Sequence, residues 1–210
     1  MAEKYLSVSG ETVTEKTIEK SKFITTVRHV EGEEEARAFV AEISKKFADA
    51  THNCYAYICD DLGNNLRFSD DGEPQGTAGM PMLEVLKANN LRQTAAVVTR
   101  YFGGVKLGAG GLLRAYSGCV AENLAKAQRV EYQLCAESLY IFDYPEVTAA
   151  TRFFSGNDCN VLSTDYADGA YFTVSVKKND EEEFNRALTD FLNGKVRIKK
   201  QREYFFPFKV

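Results

Sequence analysis

The spacing of apolar residues changes several times along the chain, and each change predicts a new strand or helix. Residues 11–30 are rich in β-branched and aromatic side chains and predict a hairpin or two strands. Apolar residues then recur at helical spacing after the glutamates at 33–35, which would complement the helix dipole in a first turn. Residues 53–60 and 66–69 predict two further strands.

The middle of the chain predicts a buried strand between two helices. A helix should begin near Pro81, since proline is tolerated in a first turn, and end at residue 89 or 90. Residues 94–99 are mostly small or β-branched and predict a buried strand. Residues 108–128 carry an apolar stripe beside small residues and predict a long helix that packs closely on a sheet.

The last third of the chain predicts the element order βαββαβ. Its strands are expected at 136–142, 159–165, 170–177 and 196–205, and its helices at 145–155 and 180–193. This order is typical of a ferredoxin-like domain. The sequence therefore predicts an α/β (α+β) fold with two domains, residues 1–134 and residues 135–210.

Composition narrows the class of protein. With 44% hydrophobic and 27% charged residues among 210, the chain is typical of a folded globular protein. Its formal net charge of −4 argues against a general DNA-binding protein, so any nucleic-acid contact should come from a local patch. We find no signal peptide and no run of about 18 apolar residues, and five scattered cysteines suit a reducing compartment. We expect a cytoplasmic protein.

A glycine-rich segment at residues 100–114 is the strongest candidate for chemistry. It connects a predicted strand to a predicted helix, where unpaired backbone N–H groups and the helix dipole favour anions. Its spacing matches neither a nucleotide P-loop nor a dinucleotide fingerprint, and the glycines equally suit tight turns and close packing. The residues expected to bind phosphate or nucleic acid here are Arg100, Lys106, Gly108, Gly110, Gly111 and Arg114.

A second segment, residues 70–79, is rich in acidic residues, glycine and proline. Its possible loop site comprises Asp70, Asp71, Gly72 and Glu73. The carboxylates could hold magnesium beside the phosphate loop, or they could simply form a turn and pair with nearby arginines. The sequence does not decide whether the two loops meet.

Two further groups of residues are weaker candidates. His52 and Cys54 lie two apart on a predicted strand, so they share a face on which a thiolate could be activated, although free cysteines are commonly just buried. Lys195, Arg197 and Lys199 alternate with apolar residues, so a strand would place the three cations on one face. That face is either solvated or a contact for the phosphate backbone of RNA.

The segment Asp70–Gly79, followed by Val98–Tyr116, resembles the core motifs of the IMPACT family of the bacterial YigZ type. The two motifs occur in the order typical of that family, and the βαββαβ part is similar to the second domain of bacterial members. The resemblance thus extends over essentially the whole chain. Besides the loop residues named above, it includes Pro74, Tyr101, Phe102, Gly103 and Gly104.

This resemblance implies a first domain like the second domain of a small-subunit ribosomal protein, and a second domain like the fifth domain of elongation factor G. Eukaryotic relatives regulate translation by competing for the activator of an initiation-factor kinase, but they carry an extra N-terminal protein-binding domain that this sequence does not contain. No established catalytic residue comes with the resemblance. Fold kinship is analogy and does not assign an activity.

From the residues and the resemblance together, we predict a translation-associated binding or regulatory protein that contacts RNA, the ribosome or a translation partner. The glycine-rich loop would contact phosphate through backbone N–H groups and cations. We expect no cofactor, no metal, no membrane association and no sequence-specific DNA binding. The alternative is a magnesium-dependent enzyme that handles a nucleotide or phosphate.

Overall fold

A computed structural model describes residues 2–209, and within them the chain forms ten β-strands and five α-helices. The strands are β1 Lys4–Val8, β2 Glu11–Ile18, β3 Ser21–His29, β4 His52–Ile58, β5 Leu66–Ser69, β6 Thr94–Tyr101, β7 Arg129–Phe142, β8 Asn160–Tyr166, β9 Ala170–Lys177 and β10 Arg197–Lys209. The helices are α1 Gly32–Lys46, α2 Gly79–Ala88, α3 Gly108–Lys126, α4 Val147–Ser155 and α5 Glu181–Phe191. No helix of the described chain is long and apolar enough to cross a bilayer.

The chain divides into two compact units. One comprises the residues up to Tyr132 together with those from Pro207 onward, and the other comprises Gln133–Phe206. The division falls inside β7, which pairs with β1, β9 and β10. Each unit has its own cluster of buried apolar side chains.

The first unit is built on a sheet in the order β2-β3-β6-β4-β5, in which each neighbouring pair is antiparallel. Its side chains alternate between two faces, so one strand supplies two cores. In β6, Val98 packs in the core that contains side chains of α2 and α3, while Val97 packs in the core that contains side chains of α1. The long apolar run of β6 is explained by this burial on both faces.

In the second unit the strands β7, β9 and β8 are antiparallel neighbours in that order, and β10 pairs with β7. The helices α4 and α5 supply Phe153, Phe154, Phe184 and Leu188 to a core that is rich in aromatic rings. Its element order is the predicted βαββαβ.

The mixed α/β class is confirmed, and most predicted elements occur within a few residues of their expected bounds. Three differences stand out. β1 was not predicted, because its five residues carry too short a pattern. α2 begins at Gly79, two residues before the expected Pro81, and β7 begins at Arg129, well before residue 136.

Candidate anion-binding site

The register of the sheet in the first unit defines the position of Arg100, near the end of β6. Phe23 of β3 and His52 of β4 are its direct cross-strand partners. Directly opposed residues of neighbouring strands point to the same face of a sheet. The three side chains therefore form a row on one face, although they are far apart in the sequence.

Arg100 is only 4% exposed, and its charge is compensated locally. Nη1 donates to Glu73 Oε1 at 2.6 Å, and Nη2 donates to Ser21 Oγ at 3.1 Å. The guanidinium carbon lies 5.5 Å from the ring centroids of both Phe23 and Phe102. The third guanidinium nitrogen, Nε, is buried without a hydrogen-bond partner among the described residues.

Glu73 connects the acidic loop to the long helix. Its Oε1 also accepts a hydrogen bond of 2.8 Å from the hydroxyl of Tyr116 on α3. The hydroxyl and the Arg100 guanidinium thus hold one oxygen of a carboxylate that is itself buried. The acidic loop therefore contacts the end of β6 and the middle of α3, and it lines one cavity with the glycine-rich loop, which the sequence left undecided.

The carboxylates of both aspartates in the acidic loop accept hydrogen bonds from backbone N–H groups. Asp70 Oδ1 accepts from the N–H groups of Ala78 and Gly79 at 2.9 and 2.8 Å, and Oδ2 accepts from that of Gly76 at 2.8 Å. Burial alone would raise the pKa of Asp70, but these three amides hold it below its usual value. Asp71 Oδ2 accepts from the Asn53 N–H at 2.6 Å.

These contacts bear on the magnesium alternative. Four of the six side-chain oxygens of Asp70, Asp71 and Glu73 already accept hydrogen bonds from amides, an arginine and a hydroxyl. Among residues 2–209, no group of three or more histidine, cysteine or acidic side chains is arranged to hold a metal ion. These contacts favour the alternative in which the carboxylates form a turn and pair with a nearby arginine.

His52 is oriented by the same loop. Its Nδ1 lies 2.7 Å from the carbonyl oxygen of Asp71, and a carbonyl only accepts, so Nδ1 carries a proton. In the neutral ring Nε2 is then an acceptor, and it lies 3.8 Å from Glu73 Oε2. His52 does not activate Cys54, whose thiol donates to the Asp70 carbonyl at 2.9 Å and whose pKa burial raises to about 12.

Helix α3 begins within the glycine-rich loop without a side-chain cap. Its first N–H groups have no partner within the helix, so this end carries partial positive charge. Lys106 and Arg114 are exposed near it, and neither side chain forms an ion pair with another described residue. Lys106, Gly111 and Arg114 line a depression of about 490 Å³ that also contains Glu19.

A cavity of about 450 Å³ lies on the other side of Lys106. Gly108 and Ala109 of α3 line it, so the start of the helix forms part of its wall. It brings together the segments 51–52, 72–74, 100–102 and 106–112. Its full lining is Thr51, His52, Gly72, Glu73, Pro74, Arg100, Phe102, Lys106, Leu107, Gly108, Ala109 and Leu112.

The glycines of the loop serve different purposes. A Cβ on Gly103 would lie 1.9 Å from the Lys20 carbonyl oxygen, so this glycine is required for close backbone packing. At Gly110 an added Cβ would come no closer than 3.7 Å, to Arg114 Nη1. Packing thus explains Gly103 and leaves Gly110 without such a requirement.

In the second unit, we expected Lys195, Arg197 and Lys199 to share one face of a strand, and this prediction was wrong for Lys195, which lies before the strand. β10 begins only at Arg197, and the Lys195 ammonium donates to Glu146 Oε1 at 2.9 Å. Arg197 and Lys199 are exposed on β10. This unit therefore presents two of the three predicted cations on its strand.

Sequence reasoning missed the partners of the Arg100–Glu73 pair. The sequence pattern indicates neither the hydrogen bond from the Tyr116 hydroxyl to Glu73 nor the one from Arg100 to Ser21. His52 was paired with Cys54 when its relevant neighbours are Asp71 and Glu73. Only the pairing of β4 with β6, which places His52 opposite Arg100, would have revealed this arrangement.

Comparison with known proteins identifies the family. Residues 19–124 match the Impact N-terminal domain, and residues 141–195 match the Domain of unknown function (DUF1949). The IMPACT family member YvyE of Bacillus subtilis (strain 168) is 40% identical over 199 residues, which cover 95% of this chain and 92% of YvyE. The IMPACT family member YigZ of Escherichia coli (strain K12) is 36% identical over 183 residues, 86% of this chain and 90% of YigZ.

A solved structure extends the comparison to the fold. The crystal structure of a hypothetical protein is similar over 96% of this chain and 99% of its own, with a TM-score of 0.65 and 33% sequence identity. The chain belongs to the IMPACT family.

Proposed function

We propose that this protein is a translation-associated binding or regulatory protein that acts in the cytoplasm. It contacts RNA, the ribosome or a translation partner through phosphate groups at the start of α3. The observation that carries the proposal is the combination of an uncapped helix N-terminus with two exposed cations, Lys106 and Arg114, that form no ion pair with the described residues. Such a combination favours phosphate over neutral ligands.

Arg100 has a different role in this proposal from the one first expected. Its guanidinium is buried and already paired with Glu73, so it does not reach a polymer passing over the surface. The exposed Arg197 and Lys199 on β10 provide additional positive charge in the second unit. Contacts of this kind position a phosphate backbone without reading bases.

The family resemblance supports the link to translation. In this proposal the two units are separate domains with a boundary near residue 134. The first is like the second domain of a small-subunit ribosomal protein, and the second is a ferredoxin-like domain akin to the fifth domain of elongation factor G. The βαββαβ order and the β10-β7-β9-β8 pairing support the second comparison.

The test is co-sedimentation of the purified protein with ribosomes and, separately, with free RNA across a salt series. Phosphate contacts release counterions, so binding should weaken steadily as salt increases. The Lys106→Ala/Arg114→Ala variant should bind more weakly at low salt and show a salt slope smaller by about 1 to 2, because each lost phosphate contact contributes about one unit.

A matched control removes the same charge elsewhere. Lys45 and Arg67 are exposed in the same unit and form no ion pair with described residues, so Lys45→Ala/Arg67→Ala should retain binding. Equal losses in both double variants would indicate a general charge effect and refute the proposed surface. Absence of binding to both ribosomes and RNA at low salt would refute the function itself.

A further inference from the structure

We propose that the cavity beside Lys106 binds a phosphate monoester, meaning a terminal phosphate group on a small body. This inference goes beyond the proposed function, which needs only surface contacts with a phosphate backbone. It is derived from the donors and acceptors of the cavity wall, which differ from those of the open depression around Arg114.

One side of the cavity supplies hydrogen-bond donors and positive charge. The start of α3 forms its wall through Gly108 and Ala109, and Lys106 lies next to them. Arg100, which is 4% exposed, lines the same cavity and has a buried Nε without a partner in the described chain. An unsatisfied buried donor is costly, and an anion in the cavity is the natural acceptor for it.

The other side supplies acceptors. Glu73 Oε1 is occupied by Arg100 and Tyr116, whereas Oε2 lies near His52 Nε2 at a separation of 3.8 Å, too long for a hydrogen bond between them. Because Glu73 offsets the charge of Arg100, the net attraction for an anion comes from Lys106 and the helix. The Glu73 carboxylate repels an anion in the cavity unless the ligand also carries a proton that it can donate to Glu73 in a hydrogen bond.

A phosphate monoester meets both requirements. Its second pKa is about 6, so near pH 6 about half of it carries one P–OH donor for Glu73 or His52 while its other oxygens accept from the donor side. A sulfate monoester and an internal RNA phosphodiester lack that proton. The cavity is thus expected to distinguish a terminal phosphate from both.

The size and apolar walls of the cavity suit a small organic body. About 450 Å³ is within the range typical of small-molecule sites. Pro74, Phe102, Leu107 and Leu112 form apolar parts of the wall, and the Phe102 side chain is 46% exposed and available for contact. Such a body is either the last nucleotide of an RNA strand or a free metabolite.

The experiment titrates the full chain with phenyl phosphate and with phenyl sulfate at pH 6.5, where about a quarter of the phosphate carries the proton, and is monitored by calorimetry. Phenyl phosphate should bind at least tenfold more tightly than phenyl sulfate. Ala109→Asp should weaken phenyl phosphate binding at least tenfold, because a carboxylate in the first turn repels the ligand while it favours the helix. Ala121→Asp adds the same charge at an exposed position of α3 outside the cavity lining and should bind within threefold of the parent.

Two arms distinguish the source of the ligand. A 5′-phosphorylated tetraribonucleotide that displaces phenyl phosphate, when its 5′-hydroxyl counterpart does not, identifies a strand end. Failure of both to displace it identifies a free small molecule. Either result supports the proposal.

Equal affinity for phenyl phosphate and phenyl sulfate would overturn it, and so would a lack of phenyl phosphate binding at millimolar concentration. The comparison of the two ligands requires no variant, so a folding defect in Ala109→Asp does not obscure the result. Arg114 lines only the outer depression, so Arg114→Ala should weaken RNA binding without affecting phenyl phosphate. A failure of the proposed RNA contact can therefore be distinguished from a failure of the proposed phosphate monoester site.

Discussion

The buried ion pair of Arg100 and Glu73 is the feature that most distinguishes this site at the scale of single residues. Two charges are removed from water, and each depends on the other for compensation. Hydrogen bonds from Arg100 to Ser21 and from Tyr116 to Glu73 reduce the cost. One buried donor, Arg100 Nε, remains without a hydrogen-bond partner among the described residues, and Arg100 lines the cavity.

Glu73→Gln should lower the free energy of unfolding by about 3–5 kcal/mol, because the amide retains an acceptor but leaves the buried guanidinium charge uncompensated. Urea denaturation monitored by circular dichroism measures the change. The control is Glu122→Gln, which neutralises an exposed carboxylate paired with Lys16 and should have little effect. A similar decrease in the free energy of unfolding in both variants would contradict the claim that burial makes the Arg100–Glu73 pair important for stability.

His29 is the second buried titratable residue of interest. Burial lowers its pKa, although Glu35 opposes the shift, and its ring stacks on Tyr132 with centroids 4.3 Å apart. Its Nδ1 forms a 2.9 Å hydrogen bond with Ser7 Oγ, and its buried Nε2 has no hydrogen-bond partner in the described chain and lies 3.9 Å from Glu31 Oε1. Folding thus favours the neutral ring.

The pH dependence follows from the sign of that shift. Below the ordinary histidine pKa of about 6.5 the unfolded chain binds a proton at His29 that the folded chain resists, so stability should fall as pH decreases from 6.5. Urea unfolding at pH 7.5 and pH 5.5 measures the loss. In His29→Gln the difference between the two pH values should be smaller; an unchanged difference would assign it to other groups.

At the scale of elements, the acidic loop is a support for the start of α2. The Asp70 carboxylate accepts hydrogen bonds from three backbone amides. It therefore holds the segment that leads into the helix in one conformation. This arrangement holds Gly72 and Glu73 at the cavity wall. The acidic residues that suggested a metal site are in fact structural acceptors, except that Glu73 also faces the cavity.

Asp70→Ala should destabilise the protein by about 1–3 kcal/mol, because it leaves three amides without their acceptor. Hydrogen exchange should accelerate most at Gly76, Ala78 and Gly79. Asp70→Asn keeps the shape and one carbonyl acceptor and should have an intermediate effect. Unchanged exchange at these three amides in the alanine variant would refute the supporting role.

At the scale of the whole molecule, each unit has its own buried core. We therefore predict that a defect in one core remains local. Leu188→Ala opens a cavity in the fully buried core of the second unit and should cost about 2–5 kcal/mol there. Hydrogen exchange should accelerate in α5 and β9.

The matched variant acts in the other unit. Leu124→Ala removes an equally large buried side chain from α3 and should accelerate exchange in α3 and β6. Acceleration throughout both units in either variant would contradict two separately cooperative domains.

The sequence by itself determined the elements of this protein, because helix and strand patterns depend on neighbours a few residues apart. It revealed the βαββαβ order, the buried β6 and the start of α3 in a glycine-rich loop. It also revealed the family, through two uninterrupted motifs. β1 was not predicted, because five residues are too few to establish the alternation of apolar and polar positions that is typical of a strand.

Only the tertiary structure decided the chemistry of the site. The Arg100–Glu73 pair spans 27 positions, and the Arg100–Ser21 hydrogen bond spans 79. Such contacts depend on which strands are neighbours and in what register, and local periodicity carries no information about either. For this reason the sequence could name Arg100 as a cation beside a loop, but its burial, its partner and its unpaired Nε appear only when β3, β6 and β4 are assembled.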